Sequence, residues 1–162
     1  MSLDQETSEP SGQSEKLHAD LVSRNVWHRF IEFNEPVKTV EQAGKKVQIE
    51  KIAKSIVMID SNGSPLLAIV AAKNKISFRK IKAFLAVKDV HLASPAEVLF
   101  HSGYPAGGVP PINKIKRVLV DPEVLRNETA IVGGGDVKML MEIKTADIVK
   151  TLNPEVVDIV RN

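Results

Sequence analysis

His101-Ser102-Gly103-Tyr104-Pro105-Ala106-Gly107-Gly108-Val109-Pro110-Pro111 holds three glycines and three prolines in eleven residues. Neither a helix nor a central strand can run through it. Gly103, Gly107 and Gly108 permit positive φ and let a ligand approach the main chain. Pro105, Pro110 and Pro111 each fix their own φ and restrict the residue before them. Mixing free and locked positions this densely predicts a rigid wall with exposed backbone N–H groups. On spacing alone, an ordinary tight connection between elements fits the same residues.

Outward from this loop, capping signals and hydrophobic spacing predict short, interleaved helices and strands. On its N-terminal side, Ser94-Pro95-Ala96-Glu97 combines an N-cap, a first-turn proline and a capping-box glutamate. Ser77 caps a helix with Phe78, Ile81 and Leu85 on its buried stripe and Arg79, Lys80 and Lys82 outward. Ile52 to Asp60 and Leu66 to Ala72 flank Ser61-Asn62-Gly63-Ser64 and read as a β-hairpin apolar enough to be covered on both faces. Thr39-Val40-Glu41-Gln42 is a second capping-box pattern. Val22, Val26, Phe30 and Phe33 fall at helical spacing, so one helix is expected from Glu15 until Pro36 ends it, with Trp27 in the core. After the loop, strands are expected at 117–120, 129–132 and 139–143, a helix from Thr145 through Leu152, and a strand or turn at 156–160. The pattern is that of a mixed α/β or α+β domain.

The chain has 162 residues, 43% hydrophobic and 26% charged, which fits one soluble globular domain. No apolar run approaches the roughly 18 residues of a membrane span, and no secretory signal is recognisable, so a cytoplasmic location is expected. Cysteine is absent, which excludes disulfides and thiolate chemistry. Residues 1–15 carry Asp4, Glu6, Glu9 and Glu15 with no Lys or Arg, and are expected to form a disordered acidic tail ahead of a folded body at 16–162. Setting those four acids aside leaves 22 Lys and Arg against 16 Asp and Glu, about +6. That balance favours a phosphate-rich partner, although a solvated basic surface would look the same.

Few residues suggest chemistry by themselves. His18, His28, His91 and His101 are scattered without ligand spacing, so no metal site is expected. No Gly-x-Ser-x-Gly elbow occurs, and adjacent His101 and Ser102 read as structural. Gly133-Gly134-Gly135 could present amides to phosphate, or could be a bulge or hairpin turn. Lys54 opens an apolar strand where lysine would not be chosen for packing, yet a snorkelling lysine fits there too.

Together, in order, Lys54-Ser55, the segment Gly103 to Pro111, Val118-Leu119-Val120-Asp121 and Val132-Gly133-Gly134-Gly135 resemble the YbaK/EbsC family. That family also forms the editing insertion domain of bacterial prolyl-tRNA synthetases. The resemblance spans Asn34 to Leu152. It implies a single compact domain with a twisted, partly barrel-like mixed sheet surrounded by helices. It implies trans-editing: hydrolysis of the ester joining a wrong amino acid to tRNA, with Ala- or Cys-tRNA(Pro) as the expected substrates. Such an activity is needed because a synthetase pocket separates side chains differing by one methylene by only about 1–3 kcal/mol. The partners implied are mischarged tRNA and, for tRNA identity, prolyl-tRNA synthetase. No cofactor and no metal is implied.

The resemblance also assigns roles. Backbone amides of Gly107 to Pro111, with Gly107 and Gly108 foremost, would hold the ester carbonyl, and Lys54 would fix the terminal phosphate or ribose. Ser55, Gly103, Tyr104, Val109, Pro110 and Pro111 would contact substrate, and Gly133, Gly134 and Gly135 would line the opposite side of the cleft. Lys45, Lys46, Lys51, Arg79, Lys80, Lys82, Lys114, Lys116 and Arg117 are the candidate tRNA surface. The chain departs from the family at Ser55, where threonine is usual, at Asn113-Lys114, and at Met139 to Met141, whose apolar character favours a small substrate such as alanine. A non-catalytic tRNA-binding module, or a regulatory domain using the acidic tail, would preserve the same motifs.

Overall fold

The hairpin at the centre of the chain organises the structure, a computed structural model that describes residues 12–162. Strands β2 (Ala53–Asp60) and β3 (Pro65–Ala71) pair antiparallel from Ala53–Ala71 to Ile59–Pro65. The turn between them is built by Asp60, whose carboxylate accepts the N–H groups of Asn62 and Ser64, with Gly63 at φ 80°. β4 (Val90–Leu92) adds antiparallel to β2. On the other edge, β5 (Val118–Val120) lies parallel to β3, and β8 (Glu155–Val156) lies parallel to β5. A second, antiparallel sheet has the order β1–β7–β6, from His28–Glu32, Met139–Lys144 and Thr129–Gly133.

The two sheets meet at a single parallel bridge between Ile52 and Ile131 and do not close into a barrel. Residues of β3 alternate between two cores, as a strand with period two must when both faces are covered. Leu67 and Ile69 join the main core with Leu17, Leu21, Phe30, Met141 and Ile148. Leu66, Ala68 and Val70 face Met58, Ile81 and Ile159. Helix α3 (Phe78–Leu85) covers that second face, its Ser77 hydroxyl accepting the Lys80 N–H, and Ile81 is its fully buried contact. Helix α4 (Pro95–Ser102) has the predicted Ser94/Glu97 capping box, and α5 spans Thr145–Leu152.

The N-terminal third departs from expectation. Helix α1 runs Gln13–Ser23, two residues earlier than predicted and far shorter. Residues 1–11 of the expected tail lie outside the described residues, whereas Gln13 to Glu15 are helical. The chain turns at Asn25, with φ 58°, and re-enters as β1. Val26 and Phe30 are buried as expected but from a strand, while Val22 is 58% exposed because the buried stripe of α1 is Leu17 and Leu21. Trp27 is 45% exposed rather than core. The expected terminal strand reduces to β8 plus a bridge from Val160 to Ile76.

Candidate functional site

The Thr39 capping box fixes the first wall. Thr39 Oγ1 accepts the Gln42 N–H, and Gln42 Oε1 accepts the N–H groups of Thr39 and Lys38, which starts the one-turn helix α2 (Val40–Ala43). The Val37 N–H donates to the Val137 carbonyl at 2.9 Å and pins the approach to α2. Beneath it, Ile31, Phe33, Ala43, Ile52, Ala72 and Ile131 form a third apolar cluster. Between α2, the start of β2 and the end of β6 opens a cleft of about 300 Å³, at the small end for ligand sites.

Five of the residues singled out by sequence line this cleft: Lys54, Ser55, Gly107, Val109 and Gly133. Lys54 is exposed and its ammonium has no hydrogen-bond or ion-pair partner among the described residues. Ser55 Oγ is buried and without any hydrogen-bond partner. A buried hydroxyl left unsatisfied costs about 1–3 kcal/mol, so a polar ligand atom that reached Ser55 Oγ would be stabilised there.

The loop is built as a turn. Gly108 N–H donates to the Pro105 carbonyl at 2.9 Å, and Gly107 stands at its tip with φ 90°. The expectation that Gly108 offers its amide to a ligand therefore does not match its geometry. The N–H groups of Ala106, Gly107 and Val109 have no acceptor among the described residues, and of these three residues Gly107 and Val109 line the cleft. A Cβ on Gly108 would meet the backbone of Asp136 at 2.8–3.0 Å, and one on Gly133 would collide with the Val109 carbonyl. Both glycines are thus required for main chain to pack on main chain.

The remaining candidates lie outside the cleft lining. Gly134 and Gly135 are buried behind it: Gly134 N–H donates to the Met139 carbonyl at 2.9 Å and Gly135 N–H to the Gly108 carbonyl at 2.7 Å. From α1, Ser14 Oγ donates to the Gly134 carbonyl at 2.6 Å. Gly103 closes α4 with φ 85°. Tyr104 is buried in the main core, and burial, followed by the nearby Asp20 charge, raises its phenol above the ordinary value. Pro110 and Pro111 are buried, and Asn113 braces them: its Nδ2 donates to the Pro110 carbonyl at 2.8 Å while its Oδ1 accepts the Ile115 N–H. Ser102 is structural, its hydroxyl bonded to Val98 and Tyr104.

The rest of the lining comes from residues 37–40 and Ala43, from Ile52, Ala53 and Ile56, and from Ile131 and Leu140, none of them a candidate site residue in the sequence. The Thr39 capping box announced α2 but not the surface it would cover. No Asp, Glu or His occurs among the described lining residues. The site offers unpartnered amides, a hydroxyl and the ammonium groups of Lys38 and Lys54, a set suited to stabilising an oxyanion and holding a phosphorylated ligand.

The family model for the aminoacyl-tRNA editing domain matches residues 34–151. A proline--tRNA ligase of Thermosipho africanus (strain TCF52B) is 33% identical over 101 residues, covering 60% of this chain and 18% of the relative. That of Thermosipho melanesiensis is 28% identical over 127 residues, covering 76% and 21%. The chain thus spans about a fifth of the length of these curated relatives. A solved structure described as a candidate trans-editing enzyme for prolyl tRNA synthetase superposes with a TM-score of 0.84 at 20% identity, covering 95% of this chain and all of that one. The hypothetical protein APE2540 superposes with a TM-score of 0.81 at 25% identity, covering 90% and 99%.

Proposed function

The chain belongs to the aminoacyl-tRNA editing domain family, and we propose that it is a trans-acting deacylase that clears mischarged tRNA(Pro), with alanine or cysteine as the amino acid removed. The observation that carries this reading is the pairing of unpartnered Gly107 and Val109 amides with the orphaned Ser55 hydroxyl in one small, largely apolar cleft.

In this reading the 3′-terminal aminoacyl ribose enters with its amino-acid side chain toward Val40, Ala43 and Ile131. Lys54 holds the terminal phosphate as a point charge at the rim. Water oxygen attacks the ester carbonyl carbon, and the developing oxyanion is held by the Gly107 and Val109 N–H groups. One such donor contributes about 10²–10³ in rate. No carboxylate or imidazole lines the cleft among the described residues, so the neighbouring ribose hydroxyl acts as a relay, taking a proton from the attacking water as it hands its own to the ester oxygen. Collapse of the tetrahedral intermediate breaks the acyl carbon–oxygen bond. The ribose oxygen leaves with the relayed proton, and the carboxylic acid so formed gives its remaining proton to solvent and departs as a carboxylate. Ser55 Oγ hydrogen-bonds the bound aminoacyl group or ribose, ending its isolation.

The test is single-turnover deacylation of tRNA(Pro) charged separately with alanine, cysteine, serine and proline, using the protein and Lys54→Ala in parallel. The expected result is rapid loss of one or two mischarged species, with prolyl-tRNA spared and the rate falling at least tenfold in the variant. No hydrolysis above buffer, with RNA binding retained, would replace the deacylase reading with that of a binding module.

A further inference from the structure

We propose that the C-terminal end of α4 and the lysines that converge on it form a second RNA-docking surface, which holds the acceptor end of the tRNA beside the cleft. The identity of the RNA rests on the deacylase reading; the surface itself rests on the geometry below.

Lys16, from α1, and Lys114, from beyond the Pro110-Pro111 turn, meet over Gly103. Lys16 Nζ lies 3.5 Å, and Lys114 Cε 3.6 Å, from the position a Cβ would take on that glycine. The absent side chain leaves the space both stems occupy. Lys16 Nζ also sits 5.3 Å above the centre of the Tyr104 ring. Neither ammonium has a carboxylate or hydrogen-bond partner among the described residues. Asp20, one turn along α1, is occupied by Arg24 at 3.1 Å. Two cations from distant parts of the chain are therefore brought together without a counter-charge among the described residues, which an anion between them would supply.

Helix capping does not account for them. The Val98 carbonyl accepts Ser102 Oγ, the Leu99 carbonyl accepts the Gly103 N–H, and the Ser102 carbonyl accepts the Lys114 N–H. The helix dipole offers roughly half a negative charge at this end, which leaves most of two positive charges uncompensated.

An aromatic ring stands at the same helix end. Phe100, one turn before Gly103, is 75% exposed, and beyond its edge contact with His101 at 5.0 Å it has no ring partner among the described residues. An exposed ring beside unpaired ammonium groups is how proteins hold RNA: the ring stacks an unpaired base and the cations meet the adjoining phosphates. The surface also lies close to the cleft. Gly103 and Gly107 are four residues apart, at most about 14 Å even if fully extended, so one strand can reach both. By contrast, Lys51, Lys80 and Arg117 of the expected basic surface are in ion pairs with Glu142, Asp158 and Glu155.

The test is fluorescence anisotropy of a deacylated RNA microhelix carrying the acceptor stem and CCA end of tRNA(Pro), titrated with the full chain at 50, 100 and 200 mM KCl. Lys16→Gln/Lys114→Gln should weaken binding and reduce the slope of log K against log salt by about 1.4 to 1.8, since each lost phosphate contact on a single strand or duplex removes about 0.7–0.9. Phe100→Ala should weaken binding about tenfold with the slope retained. Lys88→Gln, at an exposed lysine ahead of β4, gives the effect of losing one positive charge elsewhere on the surface. A slope equal to that of the unaltered chain in the double variant, or a Lys88→Gln change of the same size, would overturn the proposal. So would an acidic peptide that competes as strongly as the microhelix. Because the probe carries no amino acid, altered slopes without any deacylation would sink the hydrolase reading and uphold this surface. Deacylation with unaltered slopes would do the reverse.

Discussion

The N–H of Gly135 donates to the Gly108 carbonyl at 2.7 Å, so the glycine run after β6 is a brace for the cleft loop. The loop owes its shape to three glycines at which main chain replaces side chain as packing material. Gly108 rests on Asp136, Gly133 on Val109, and Gly135 on Gln13 and Ser14.

Substitution at these glycines separates strain from collision. Gly107→Ala places a Cβ 3.6 Å from Val137 Cγ1, an ordinary contact, but at φ 90°. The expected cost is about 1–2 kcal/mol, with the fold retained. Gly133→Ala drives a Cβ into the Val109 carbonyl, and should cost more than Gly107→Ala and disrupt the cleft. Urea unfolding of both variants checks the order; equal stabilities would contradict the packing described.

Ser55→Ala should move stability and function in opposite directions. It removes a buried hydroxyl with no partner, so unfolding should be harder by about 1 kcal/mol, or at least no easier. Deacylation should fall, because the ligand's hydrogen bond is lost. Thermal unfolding alongside single-turnover kinetics makes the comparison. A less stable variant with full turnover would make the hydroxyl structural.

A pH dependence is expected between α1 and β1. His28 Nδ1 lies 2.8 Å from the Val26 carbonyl, which can only accept, so Nδ1 carries the proton and Nε2 accepts from His18 Nδ1 at 2.7 Å. Burial chiefly, opposed by the Val26 carbonyl and assisted by His18, lowers the His28 pKa below 6.5. The unfolded chain then binds more protons than the folded one as pH falls through 6.5, so stability is greatest above that pH and declines below it. Melting temperatures from pH 7.5 to 5 should fall less steeply in His28→Phe than in the unaltered chain. An unchanged slope would locate the dependence elsewhere.

Ala43→Leu tests the α2 wall. Ala43 is 2% exposed and lines the cleft, so three added carbons must enter the space assigned to the amino-acid side chain. Turnover of the preferred mischarged tRNA should fall at least tenfold while affinity for deacylated tRNA is retained. Unaltered turnover would place the side chain elsewhere in the cleft.

Local signals account for much of this architecture. The β2–β3 hairpin and helices α3, α4 and α5 follow from caps, turn residues and apolar runs, because each of those signals acts within a few residues. β1 was missed for a physical reason: Val22, Val26 and Phe30 satisfy helical spacing, but the left-handed turn at Asn25 converts the second half into a strand against β7. Only a partner 113 residues away, in the pairing of Arg29 with Glu142, rewards that choice. The site was legible as a set of motifs, and less so as surfaces. Sequence could not tell that Gly107 and Gly133 would face the cleft while Gly134 and Gly135 faced α1, nor that α2 would close the other side.

The bond from Ser14 to Gly134 sets a limit on portability. The matched family region begins at residue 34, yet the brace behind the cleft loop is anchored on α1, and β1 is an edge strand of the smaller sheet. An excised segment starting at residue 34 would carry every described cleft residue and lack both α1, which anchors the brace, and β1, which completes the smaller sheet. The unit of inheritance and the unit of folding therefore have different borders, and a transplant of this site into another scaffold must follow the second.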